Sequence, residues 1–190
     1  MDKDLVFRGK ICLIGESGVG KTSLIRRYVL DQFSDNYLST FGTKVMKKQL
    51  SFNLPNKQKA SLLLTVWDIM GEKELIGVVK ESYFQGASGL VAVCDLTRPE
   101  TLPALANWIG AANKVIGDMP IVLAGNKLDL ISPVNIRELA HSIEKFAKEN
   151  QANAVLTSAK TGENVEIAFK KIGASVLAEM LKHETKHQTV

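Results

Sequence analysis

Short apolar, β-branched runs alternate along the chain with longer stretches in which apolar residues recur at helical spacing. The runs KICLIG (10–15), KVMKKQLSF (44–52), ASLLLTVWD (60–68), GLVAVCD (89–95), PIVLAGN (120–126) and AVLTSA (154–159) read as strands. Helices are predicted at 21–30, about 73–84, 102–115, 134–149 and 165–181. Strands that alternate with helices build an α/β domain in three layers, a mostly parallel sheet with helices on both faces. The segment NLPNKQK between the second and third strands has turn chemistry, so those two form a hairpin. The expectation is a six-stranded sheet with one antiparallel edge strand, and five helices.

The last two helices give the clearest periodicity. Ser132 and Pro133 supply an N-cap and a favoured first-turn proline, after which Ile136, Leu139, Ala140, Ile143 and Ala147 recur on one face. Val165, Ala168, Phe169, Ile172, Val176 and Met180 do the same in the final helix. One-sided stripes of this kind are core-facing surfaces before they are ligand sites.

Composition narrows the class. The 190 residues, 45% of them hydrophobic, suffice for one buried core and are too few for two ordinary domains. The domain is drawn at 1–182, with 183–190 as a short polar tail. Twenty-four basic and 20 acidic residues leave a formal charge of +4 without a long run of like charge, so no nucleic-acid footprint is indicated. Cys12 and Cys94 lie inside apolar runs and read as small buried hydrophobes. The opening MDKDLVF has no signal-like apolar stretch, and no window reaches the ~18–20 apolar residues that span a bilayer. Asp2 offers no myristoylation acceptor and KHETKHQTV no cysteine to prenylate, so a cytoplasmic chain without an intrinsic membrane anchor is expected.

GESGVGKT, Gly15 to Thr22, matches GxxxxGK[ST] and stands between an apolar strand and a helical stretch, the context that phosphate-loop chemistry requires. Glycines let such a loop curl until successive N–H groups point inward at phosphate oxygens, helped by the positive end of the following helix. Gly15, Ser17, Gly18, Val19, Gly20, Lys21, Thr22 and Ser23 are the candidate nucleotide-binding residues here. Lys21 reaches the β- and γ-phosphates, and the Thr22 hydroxyl suits Mg²⁺, a hard cation that prefers oxygen ligands. Downstream, LLLTVWDIMG resembles a Walker B strand: Asp68 stands at its end beside the metal, and the Gly71 N–H faces the γ-phosphate.

AGNKLDL after the strand PIVL points to the base. Asp129 offers two acceptor oxygens that match the N1–H and N2–H donors of guanine and oppose the N1 acceptor of adenine. Asn126 ties this loop to the phosphate loop, the Lys127 stem lies against the base, and Leu130 completes the loop. In SAKTG, Ser158, Ala159 and Lys160 follow the last strand, where an N–H near Ala159 can donate to guanine O6.

Taken together, GESGVGKT, DNYLSTFG, WDIMG, NKLD and SAK resemble the Ras superfamily of P-loop small GTPases, most of all its Rab branch, over nearly the whole chain. The resemblance implies a GTPase switch with Mg²⁺ as cofactor, and effector, exchange and GTPase-activating partners that read residues 33–47 and 67–84. It implies that Thr40 ligates Mg²⁺ and bonds the γ-phosphate, and that Ser17 is a serine common in that branch. It also implies that Phe33 stacks edge-on against guanine and that Trp67 contacts effectors, although plain packing explains both aromatics equally well. Lys21, Thr40, Gly71 and Glu72 are then the catalytic candidates, with Thr22, Thr40 and Asp68 at the metal.

The departures from the family pattern matter. Ile69 and Met70 replace Thr-Ala of WDTAGQE, and Glu72 stands where a water-orienting glutamine belongs, with Glu74 competing for the role. An ionised carboxylate accepts from water but cannot donate to the γ-phosphate. No arginine lies between Phe33 and Thr40, so a charge-neutralising finger comes from a partner. Val45 replaces a phenylalanine usual on the Rab effector surface. A guanine-nucleotide-dependent binding module without useful hydrolysis is the alternative reading. A P-loop ATPase or kinase leaves NKLD without a purpose. His183-Glu184-Thr185-Lys186-His187 fits HExxH, but with no third ligand and no fold around it the match reads as chance.

Overall fold

The computed structural model describes residues 5–34, 43–55, 58–69 and 80–187. Its strands are β1 (Leu5–Ile14), β2 (Thr43–Asn53), β3 (Lys59–Ile69), β4 (Gly89–Asp95), β5 (Ile121–Asn126) and β6 (Asn153–Leu156). Its helices are α1 (Lys21–Leu30), α2 (Lys80–Phe84), α3 (Thr101–Ile116), α4 (Pro133–Glu149) and α5 (Val165–His187), with a 3₁₀ turn at Leu128–Leu130. The strands form one six-stranded sheet in the order β2-β3-β1-β4-β5-β6. β2 is antiparallel to β3 at the edge, and the β1–β3, β1–β4, β4–β5 and β5–β6 pairs are parallel. The chain is thus an α/β domain with a mostly parallel sheet and one antiparallel edge strand.

Alternation along the central strands divides the core in two. Ile11, Leu13, Val91, Val93, Val122 and Ala124 join Leu24, Ile25 and Tyr28 of α1 and Phe169, Ile172 and Val176 of α5. Cys12, Ile14, Leu90, Ala92, Cys94 and Leu123 join Phe84 of α2, Leu105, Trp108 and Ala112 of α3, and Ile143 and Ala147 of α4. A parallel sheet buried on both faces needs nearly continuous apolar strands, and β4 is buried at every position. Burial pushes both thiols, Cys12 and Cys94, up to about 12, so they act as packing groups and not as nucleophiles.

The boundaries differ from the sequence reading in places. β1 begins at Leu5, because its first half pairs with β3 from Leu5↔Ala60 onward. β6 ends at Leu156 rather than 159: the Thr157 N–H still donates to the Gly125 carbonyl, but the Ser158 N–H turns to the Glu163 carbonyl and the Ala159 N–H to Asn126 Oδ1. α5 runs on to His187. Pro133 does open α4, but the Ser132 side chain makes no capping hydrogen bond; the Ser132 carbonyl accepts from the Asn135 N–H instead, at 2.9 Å. Of the helix expected over 73–84, residues 73–79 lie outside the described residues.

Gly110 is exposed inside α3, and a Cβ built there meets no heavy atom within 4 Å. Glycine costs a helix interior about 1 kcal/mol relative to alanine. Gly110→Ala should therefore raise the thermal midpoint by about 2–4 °C without altering ligand binding. Differential scanning calorimetry checks the value.

Candidate functional site

β1 lies between β3 and β4, so the chain leaves it toward one edge of the sheet and later returns on the other side. Ligands of open α/β sheets bind outside the carboxyl ends of strands at such a switch point. The loop from Gly15 to Gly20 fills this place, directly between the end of β1 and the start of α1. Gly15, Gly18 and Gly20 have φ of 136°, 75° and 101°, values that suit glycine. A Cβ on Gly15 would fall 2.2 Å from the Val93 carbonyl oxygen, so the loop is also packed too tightly for a side chain there.

Lys21 folds back over this loop. Its Nζ donates to the carbonyl oxygens of Gly15 and Glu16, at 2.8 and 2.9 Å. The side chain is 6% exposed, and burial pulls its pKa down to about 8. The carboxylates of Asp68 and Glu16 oppose that shift and Arg98 adds to it. An ammonium group so desolvated gains from any anion placed beside it. The next residue, Thr22, donates its hydroxyl to Asp68 Oδ2. Asp68, 1% exposed near the end of β3, is carried there by its register with Leu13 of β1. Two of the three expected metal ligands are thus in contact, and an oxygen-only donor pair fits Mg²⁺ and not a soft transition metal. Ser23 follows in the first turn of α1.

The second loop is bound to the first. Asn126, at the end of β5, donates from Nδ2 to the Val19 carbonyl at 2.9 Å. Its Oδ1 accepts from the Ala159 N–H at 3.2 Å and from Thr157 Oγ1 at 3.3 Å. Lys127 takes a left-handed conformation with φ of 70° and turns the chain into the 3₁₀ turn that carries Asp129 and Leu130, both exposed. Asp129 Oδ1 accepts from Ser158 Oγ at 2.6 Å, which aligns the carboxylate with the loop after β6. The Ala159 N–H, expected near a base carbonyl, is engaged with Asn126 in this structure. Lys160 is exposed beside it, and its carbonyl accepts from Arg27 Nη2 at 2.7 Å.

The remaining candidates divide. Phe33 packs, partly buried, against the core under α1 and α5. Trp67 is partly buried on β3, with Lys10 Nζ 3.9 Å above its ring, and pairs across the strands with Val45, which is 46% exposed. Thr40, Gly71, Glu72 and Glu74, with Met70, lie outside the described residues. Three residues of this region escaped the sequence reading. Arg27 also donates from Nε to the Ala159 carbonyl at 3.0 Å, Asp95 gathers Lys127 and Arg98, and Arg98 reaches the phosphate loop. Only Asp95 left a trace in the sequence, as an acid closing an apolar strand in the manner of Asp68.

A model of the Ras family matches residues 10–178. The chain is 35% identical over 178 residues to the Ras-related protein Rab-4A of Danio rerio, an alignment that covers 93% of this chain and 80% of that protein. It is 34% identical to the human Rab-4A, over 93% and 78% of the two chains. Against the Ras-related protein Rab-18-B of Danio rerio it is 33% identical over 180 residues, 93% and 83% of the two.

Proposed function

The chain belongs to the Ras family as a Rab-like small GTPase, and from that premise we propose a Mg²⁺-dependent GTP/GDP switch that hydrolyses GTP slowly by in-line attack of water. The observation that carries this reading is the Asn126–Val19 hydrogen bond, which joins a phosphate cradle to a loop bearing an exposed, aligned carboxylate. A ligand with phosphates at one end and a guanine-like donor edge at the other fits both.

In this reading the loop N–H groups and Lys21 hold the β- and γ-phosphates and lose little by reorganisation, because the loop is already closed around the Lys21 side chain. Mg²⁺, when bound, would offset the negative charge of the phosphates. Thr22 and Asp68 hold its site on this chain, and Thr40 and the Gly71 N–H are assigned to it and to the γ-phosphate by resemblance. Glu72, in the position of the water-orienting glutamine, can accept from water without donating to the γ-phosphate, so turnover without a partner is slow. Residues 33–47 and 67–84 are the segments we assign to effector, exchange and activating proteins, and the cytoplasm is the compartment we assign to the chain. No described helix is long and apolar enough to cross a membrane.

Single-turnover release of γ-phosphate tests the proposal. Glu72→Gln should speed release by about tenfold, ~1.4 kcal/mol of barrier. Thr22→Asn should remove the magnesium dependence of GTP binding. Wild-type protein that binds GTP but releases no phosphate above the protein-free rate would instead support a binding module without useful hydrolysis.

A further inference from the structure

One buried carboxylate outside both loops is linked to each of them, to the base-reading loop directly and to the phosphate loop through an arginine. Asp95 is the last residue of β4, 2% exposed, and lies in register with Asn126 on β5. Its Oδ1 accepts from the Thr97 N–H at 2.9 Å and from Thr97 Oγ1 at 2.6 Å, which fixes the carboxylate within its own turn. Its Oδ2 takes two cations, Lys127 Nζ at 2.6 Å and Arg98 Nε at 3.0 Å. The other arm of that guanidinium, Nη2, donates to the Ser17 carbonyl at 2.9 Å. A continuous path therefore runs from the phosphate loop through Arg98 and Asp95 to the base-reading loop. It is separate from the deeper Asn126–Val19 bond.

The charges explain why Asp95 is the node. Burial disfavours its ionised form, but the hydrogen bonds from Lys127, Thr97 and Arg98 outweigh this and hold its pKa below the usual carboxylate value. Each cation gains from the same anion, and a network of this kind is worth more intact than the sum of its separate pairs. Arg98 also opposes protonation of Lys21, so it stands close enough to the phosphate cradle for its charge to be felt there. Without Asp95, the two cations have no common partner, and each loop moves independently of the other along this path.

We propose that Asp95 is a positioning residue which couples the phosphate loop to the base-reading loop through Arg98 and Lys127, and so sets how long a guanine nucleotide stays bound. The inference rests on the guanine-nucleotide reading above. A ligand gripped at both ends leaves quickly only when one end opens while the other still holds it. Loops tied together open together, which is rarer. The tie therefore acts on dissociation, whereas association into an already open site changes little.

The test is stopped-flow kinetics with GDP carrying a fluorescent N-methylanthraniloyl group on the ribose. Wild type is compared with Asp95→Asn, Arg98→Ala and the double variant. Asp95→Asn should release the probe about 10- to 100-fold faster and Arg98→Ala about tenfold faster, with association rates within about twofold of wild type. The double variant should release no faster than Asp95→Asn alone, because both changes cut one path. Arg98 is half exposed and keeps the experiment decisive where Asp95→Asn folds poorly. Arg98→Ala release within twofold of wild type would overturn the coupling, and so would single effects that multiply in the double variant. A lowered thermal midpoint with unchanged release would overturn it as well, in favour of a purely structural Asp95. Wild type that fails to bind the probe at all would overturn the guanine-nucleotide reading itself, and the coupling with it.

Discussion

Asp129→Asn should lower GTP affinity by about three powers of ten, ~4 kcal/mol, and make xanthosine triphosphate the better ligand. Guanine presents two adjacent donors, N1–H and N2–H, and the Asp129 carboxylate can accept both. An amide offers one acceptor and one donor. Its oxygen can still accept from N1–H, but its NH₂ group would then face the guanine amine, and these two opposed donors are left desolvated and unpaired, a mismatch of ~1–3 kcal/mol for each. Xanthine carries a carbonyl in place of that amine, so the amide matches it. Little else should change. Asp129 is exposed, its Oδ1 accepts from Ser158 Oγ at 2.6 Å, and an asparagine oxygen can accept the same bond. Equilibrium titration with both triphosphates, alongside thermal unfolding, separates specificity from damage. GTP affinity that stays within threefold of wild type would mean that Asp129 does not read the base.

What the sequence disclosed, and what it hid, follows from the range of the interactions. The phosphate loop was legible because its requirements are local: glycines where φ is positive, then a lysine and a hydroxyl in the first helical turn. The sheet was legible because strands buried on both faces, such as GLVAVCD, have to be apolar throughout. The first half of β1 was hidden because Val6 is 62% exposed beside buried Phe7, so LVF shows no alternation from which to read a strand. The last turns of α5 were hidden because KHETKH has no apolar face, although it has no glycine or proline to stop a helix already under way. The Asp95 network was hidden most completely. It joins Ser17, Asp95, Arg98 and Lys127 from three separate segments, and their proximity exists only after β1, β4 and β5 have aligned. In the same way, the placement of Phe33 depends on neighbours far along the chain; the structure packs it, partly buried, against one edge of the core.

Gly20→Ala should lower nucleotide affinity by about two to three powers of ten while leaving a cooperatively folded protein. Gly20 holds φ of 101° at the entry to α1, a region that costs an L-residue ~1–2 kcal/mol. A Cβ at this position would lie 2.2 Å from Asn126 Nδ2, so the asparagine has to move. That movement breaks its bond to the Val19 carbonyl and disturbs Oδ1, which receives Ala159 N–H and Thr157 Oγ1. A buried polar group left without its partner costs a further ~1–3 kcal/mol. The losses fall on the residues that join the two halves of the site, so binding should suffer more than folding does. Gly20 itself takes part in no strand pairing and in neither apolar cluster, so the sheet and both cores remain. Calorimetric titration with GTP and Mg²⁺, compared with the unfolding transition of the free protein, distinguishes the two. If Gly20→Ala bound GTP within tenfold of wild type, the Asn126–Val19 tie would not be what holds the phosphate cradle and the base-reading loop in register.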